Sequence, residues 1–92
     1  MDLADQMAES IIKEHAKIIG PIAWEEATKT AGLLVDLQSK KVQVVGVAPV
    51  VLKELVRHFE VLFGLTARQV SRAAVKSLID EESKELLPSI LK

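Results

Sequence analysis

Residues 18–24 read Ile18-Ile19-Gly20-Pro21-Ile22-Ala23-Trp24, an apolar run broken at its centre by Gly-Pro and closed by the only Trp of the chain. Gly20 can adopt positive φ and close a helix, while Pro21 has its φ preset for the first turn of the next. The run predicts a helix–corner–helix joint with Ile18, Ile19 and Ile22 pointing inward. A second joint, Leu62-Phe63-Gly64-Leu65-Thr66-Ala67, follows 44 positions later.

Upstream of the first joint, Leu3, Ala4, Met7, Ala8, Ile11, Ile12, His15, Ile18 and Ile19 recur at helical spacing. They predict a helix over about 3–19, with Asp2 as its N-cap and Asp5 complementing the helix dipole. Glu9 and Lys13 stand i,i+4 on its polar face. Downstream, a second helix starts at Pro21 and is expected to bury Ile22, Ala23, Ala27, Thr30 or Ala31, and Leu34. Gly32 either ends it or is tolerated inside it at about 1 kcal/mol.

Residues 33–48 admit two readings. Leu33–Leu37 and Val42–Val47 could pair as a hairpin around Gln38-Ser39-Lys40-Lys41. Alternatively, the second helix reaches Asp36, and only a short β segment at 42–48 is extended. The second reading is preferred, because the Gln-Ser-Lys-Lys turn lacks the usual Gly or Asn.

Before the second joint, Pro49 fits a helical first turn. Val51, Leu52, Leu55, Val56, Phe59, Leu62 and Phe63 then form the cleanest amphipathic stripe in the chain. After Gly64, Thr66 is expected to cap a fourth helix with Ala67, Val70, Ala73, Ala74 and Leu78 on its apolar side. Its small residues would let it approach a neighbour closely. A tail with Leu86, Leu87, Ile90 and Leu91, interrupted by Pro88, is either a short final helix or an arm for a partner chain. Laying 7–36 on 51–80 puts Met7 on Val51, Ile11 on Leu55, Ile12 on Val56 and Gly20 on Gly64, the pattern of an internal duplication.

The fold class that follows is mainly α. It is a small bundle of four to five helices built from two helix–Gly–helix hairpins, with a possible short β segment at 42–48. The chain divides as one domain, with a first helical hairpin at 1–36, a linker at 37–48, a second hairpin at 49–82 and a tail at 83–92. The joint angle would be set by a core of Ile11, Ile18, Ile22, Leu55, Phe59 and Phe63.

Composition narrows the function classes. The 92 residues are 49% hydrophobic, yet Trp and Phe contribute only one and two residues and Tyr none, so the core must be aliphatic. No Cys is present, which removes disulfides, thiolate nucleophiles and Cys-based zinc sites. No apolar run reaches the length of a membrane span, and no basic-then-apolar leader is seen, so the chain reads as cytoplasmic. Net charge is −1. Residues 49–79 carry five bases against two acids, a modest excess for nucleic acid.

Few residues offer chemistry. His15 and His58 are the only imidazoles, at no metal-binding spacing, and read as satisfied or half-exposed helix residues. Glu25-Glu26 and Glu81-Glu82 point about 100° apart on a helix and read as solvated. No phosphate loop, nucleophile elbow or Ser-His-Asp set occurs, so no catalytic residue, metal or cofactor is expected. Arg68, Arg72 and Lys76 stand i, i+4, i+8 and draw a basic ridge on the fourth helix. That ridge is the outward face of an amphipathic helix or, alternatively, a DNA recognition helix over 66–80. Trp24 reads as a core anchor; exposed, it would be a partner-binding hot spot.

The segment Ile19-Gly20-Pro21-Ile22-Ala23, preceded by an amphipathic helix, resembles an I-G-P-I-A helical module at the ends of microbial signalling proteins. It is similar to small archaeal signal-output domains of the Nitrososphaera output type. The resemblance implies a non-enzymatic, self-associating module of prokaryotic signal transduction. Ile19, Gly20, Pro21 and Trp24 at the joint are the candidate interaction residues. A homodimer is expected from the line Ala4, Met7, Ile11, His15, Ile18, which is close to heptad spacing, and from the apolar tail. His15, if buried at that seam, would make assembly pH-sensitive. A protein partner in signalling is expected, and no membrane.

Overall fold

The computed structural model describes residues 2–79 and 83–91, and among these the chain is mainly helical. Helix α1 spans Leu3–Ile19 and α2 Ile22–Ala27; strands β1 (Leu33–Asp36) and β2 (Lys41–Val44) follow, then α3 (Ala48–Phe63) and α4 (Thr66–Lys76). Two short 3-10 turns, Ser83–Leu86 and Ser89–Leu91, complete it. The result is a small helical bundle carrying a two-stranded antiparallel hairpin.

Helix α1 buries Ala4, Met7, Ala8, Ile11, Ile12 and His15, and α3 buries Val51, Leu52, Leu55, Val56 and Phe59. Each helix ends on a glycine of positive φ. Gly20 has φ 88° and donates to Ala16 O; Gly64 has φ 75° and donates to Glu60 O. Helix α4 packs on α1 through small residues: Ala67, Ser71, Ala74 and Val75 are buried, and Ser10 Oγ donates to Ala74 O at 2.7 Å. Such contact brings the two backbones close.

The isoleucines of the first joint do not both point inward. Ile18 is 65% and Ile22 50% exposed. Ile19, one position on, is the residue that packs against the core, leaving Ile18 at the rim of the final turn. Leu62 and Phe63, in the last turn of α3, are likewise exposed. Of the six residues expected to set the joint angle, Ile11, Leu55 and Phe59 are core residues and Ile18, Ile22 and Phe63 are not.

Between the joints the hairpin reading holds, against the preferred helix. Helix α2 stops at Ala27, where Thr28 Oγ1 donates to Glu25 O at 2.6 Å and turns follow. A hydroxyl that bonds the preceding turn competes with helix continuation. Gly32, at φ 81°, leads into β1. The register pairs Leu33 with Val44 and Val35 with Val42, so those four face the core while Leu34 faces out. The turn needs neither Gly nor Asn. Asp36 Oδ1 accepts from Gln38 N at 3.0 Å and Ser39 N at 3.3 Å, and Lys40 takes the positive φ of 59°. Residues 2–36 therefore carry a helix, a short helix and a strand, and the expected linker at 37–48 contains strand β2 and the start of α3.

The hairpin is pinned at two places. Asp5 Oδ1 accepts from Val44 N at 2.7 Å, a role beyond the dipole. At its base Val51 lies between two glycines: a methyl added to Gly32 or Gly46 would sit 2.7 or 2.9 Å from Val51 Cγ2. The Val-rich segment thus docks on the first turn of α3.

Other expectations change on packing grounds. Thr66 is the first residue of α4 and makes no side-chain cap; Leu65 occupies the N-cap position. Ala73 faces solvent, while Ser71 is buried because its hydroxyl is satisfied by Ala67 O at 2.7 Å. In the tail, Leu87 and Leu91 are buried in this chain's own core, and Arg72 Nε donates to Ile90 O at 2.8 Å. The tail covers its own bundle. Residues Asp80–Glu82 of the expected second hairpin lie outside the described residues.

Candidate functional site at the paired joints

The two joints come together in space. His15, Ile18 and Ile19 from the end of α1 meet Phe63, Thr66, Ala67 and Val70 from the α3–α4 corner around a groove of about 220 Å³. Ile22, Leu62 and Leu65, 50%, 44% and 71% exposed, lie beside it along the chain. Solvent-facing apolar side chains are ordinary when scattered; clustered around a concavity, they mark a contact surface.

His15 is the polar member of this site. Its ring stacks on Phe59 with centroids 4.2 Å apart and planes 8° from parallel, and Phe63 lies 6.5 Å away. Nδ1 is 2.8 Å from the Ile11 carbonyl oxygen, which only accepts, so Nδ1 carries the proton and donates. Nε2 is then a lone-pair acceptor, and it is buried with no hydrogen-bond partner among the described residues. Burial holds the imidazole pKa below its ordinary 6.5, outweighing the Ile11 carbonyl and the charge of Glu14, which both raise it. The ring is neutral and inside its own bundle. Ala4, Met7 and Ile11 of the expected dimer seam are also buried within this chain, so that seam is internal.

Charges next in sequence to the groove residues Ile18 and Ala67 are paired within the chain. Lys17 Nζ donates to Glu14 at 3.0 Å, and Arg68 meets Glu60 at 3.4 Å. The basic ridge is correspondingly reduced: Arg68 is held by Glu60 and Arg72 by the Ile90 carbonyl, leaving Lys76 exposed with no such partner among the described residues. Helix α4 ends at Lys76, short of the 66–80 span expected for a recognition helix.

Of the remaining joint residues, Gly20 shapes the corner, and Pro21 opens α2 with φ −58°. Trp24 is 5% exposed, a core residue with Lys40 Nζ 5.5 Å above its ring. It does not line the groove. A second polar cluster was not legible in sequence: His58 Nε2 donates to Glu26 Oε1 at 3.0 Å and Lys29 Nζ to Glu26 Oε2 at 3.2 Å. Glu26 is held below the usual carboxylate range, first by His58 and then by Lys29. The pairing spans 32 residues, which no local spacing reveals. Both partners of Glu26, His58 and Lys29, also line a neighbouring cavity together with Glu54 and Arg57. No group of three or more His, Cys, Asp or Glu residues placed to hold a metal occurs among the described residues. No described helix is long and apolar enough to cross a membrane.

Further apolar side chains are uncovered towards the other end of α3. Val47 and Val50 flank its start, with Val45 and Leu34 of the hairpin, all more than half exposed. Sixteen residues of helix separate the ends, about 24 Å at 1.5 Å per residue. The site is thus one of two apolar ends joined by a rigid rod. Set against protein-family models, curated proteins and solved structures, the chain matches none.

Proposed function

We propose that this domain is a non-enzymatic, cytoplasmic adaptor or output module of signal transduction, acting by association through its two apolar ends. The observation that carries the reading is the separation of those ends by the length of α3, since an adaptor must hold two contacts apart. The hairpin end offers aliphatic side chains alone, suited to an isologous contact in a homodimer. The joint end offers a groove, suited to a protein partner. Assignment to prokaryotic signalling rests on the resemblance of Ile19–Ala23 described above. The DNA-binding alternative draws less support, because Arg68 and Arg72 are engaged within the chain.

Sedimentation equilibrium on the full chain tests the reading. A dimer that Val47→Glu/Val50→Glu dissociates and Leu62→Glu/Leu65→Glu leaves intact is the expected result. A 10.1 kDa monomer throughout the high micromolar range would overturn the self-association. Salt-dependent duplex binding lost in Arg68→Ala/Arg72→Ala would favour the DNA-binding alternative instead.

A further inference from the structure

We infer that the groove at the paired joints is a socket for one aromatic side chain bearing a hydrogen-bond donor, a tyrosine or tryptophan presented by a different protein. The inference rests on the association reading and names what the joint end recognises.

Four observations converge. The groove holds about 220 Å³, and its walls are Ile18, Ile19, Phe63, Ala67 and Val70, with Thr66 the one hydroxyl among them. An apolar cavity of about 150 Å³ accommodates a benzene ring, so one substituted ring fits. Among the described residues no Lys, Arg, Asp or Glu lines the groove, so its walls select no ionic group. Beneath the groove, His15 keeps one unsatisfied acceptor, Nε2, in a residue 2% exposed. A buried acceptor without a donor is costly, and a ligand that supplies the donor recovers that cost only on binding. Nε2 is shielded from solvent, so the incoming ring must move side chains at the edge; Ile18 and Phe63, 65% and 38% exposed, have room to rotate.

The donor has to come from another molecule. This chain has no Tyr, and its single Trp is buried in the core under Lys40. In a second copy the other rings that bear a donor, His15 and His58, already donate to the Ile11 carbonyl and to Glu26, and the remaining donors sit on side chains with no ring to fill the groove. Phenol and indole side chains combine an apolar body with one O–H or N–H, the chemistry this site lacks.

The test is an NMR titration of the isotope-labelled full chain with p-cresol and, separately, toluene. Both should perturb the methyl groups of Ile18, Ile19 and Val70. Cresol should bind about 3- to 10-fold tighter, the range one net hydrogen bond supplies, and should alone shift the His15 Nε2 resonance. His15→Phe keeps a ring against Phe59 and should abolish the preference while retaining toluene binding. Equal affinities for the two probes would overturn the proposal, as would no groove perturbation by either probe up to its solubility limit. Cresol binding that weakens as protein concentration rises would assign the groove to a second copy, which also overturns it. Self-association at the hairpin end is read separately by sedimentation of Val47→Glu/Val50→Glu, so failure of the socket is distinguishable from failure of the association reading.

Discussion

The two helix–Gly–helix units share their first halves and part company in their second. Helices α1 and α3 bury matching positions, Met7 and Val51, Ala8 and Leu52, Ile11 and Leu55, Ile12 and Val56. Both end on a positive-φ glycine whose missing side chain would meet nothing within 4 Å. After the corner, α2 runs for 6 residues and α4 for 11. The difference lies in what each second helix has to cover. Helix α4 lies along α1, whereas α2 gives way to a hairpin that takes part of that covering role on α1. A long first helix and a glycine are local devices; the length of the second helix answers to the rest of the bundle.

The sharpest contrast is at a buried matched pair that differs in chemistry. His15 and Phe59 occupy equivalent places and stack on each other, so the centre of the bundle is an imidazole on a phenyl ring. Phe59→Ala breaks this pair most severely. Large aromatic truncations in cores cost about 3–5 kcal/mol, and urea denaturation should place the variant in that range. An effect under 1 kcal/mol would show that the stack is not central.

Gly32→Ala should come next, at about 2 kcal/mol from overpacking and a strained φ, because Val51 stands where the methyl would go. Gly20→Val and Gly64→Val meet open space and suffer only the left-handed backbone, about 1–2 kcal/mol each. Near-equal shifts in melting temperature would sharpen the equivalence of the two joints; an unchanged value for either would break it.

Acidification separates the units by chemistry instead of size. His15 has its folded pKa lowered below the unfolded 6.5, so the unfolded chain binds its proton first. Stability is full well above pH 6.5 and falls as pH drops through that value towards the folded pKa. Glu26, also lowered by its partners, adds a loss at lower pH, below about its ordinary 4.5. Denaturant midpoints measured from pH 8 to pH 5 should fall in the wild type, and His15→Phe should flatten that window. The smallest effect is expected for Arg68→Ala/Arg72→Ala, whose pairs are partly exposed. Their loss should move stability by about 0.5 kcal/mol or less per site.

Much of this architecture was legible because it is local. The stripes of α1 and α3, the Asp2 cap and the glycine corners follow from spacing and from the conformational freedom of one residue type. The site was legible only in its members. His15 was marked by its place in an apolar stripe, but its stack on Phe59 joins helices 44 residues apart in sequence. The hairpin was misjudged because Asp36 and Lys40 supply the turn that Gly or Asn usually provides. Asp36 is held below the usual carboxylate range by the Ser39 and Gln38 backbone N–H groups it accepts from.

By itself the sequence determined which segments are amphipathic, where two helices must stop, and that an aliphatic core had to be built without disulfides. Hydrophobic periodicity and backbone permissiveness are properties of short stretches, and they survive in any context. Tertiary structure alone decided which apolar residues are surplus. Ile11 and Ile18 look alike in the stripe, yet one is fully buried and the other 65% exposed, because exposure depends on where neighbouring elements end. The same packing turned the expected dimer seam inward and left the joints uncovered. It also placed an unpaired imidazole nitrogen beneath them.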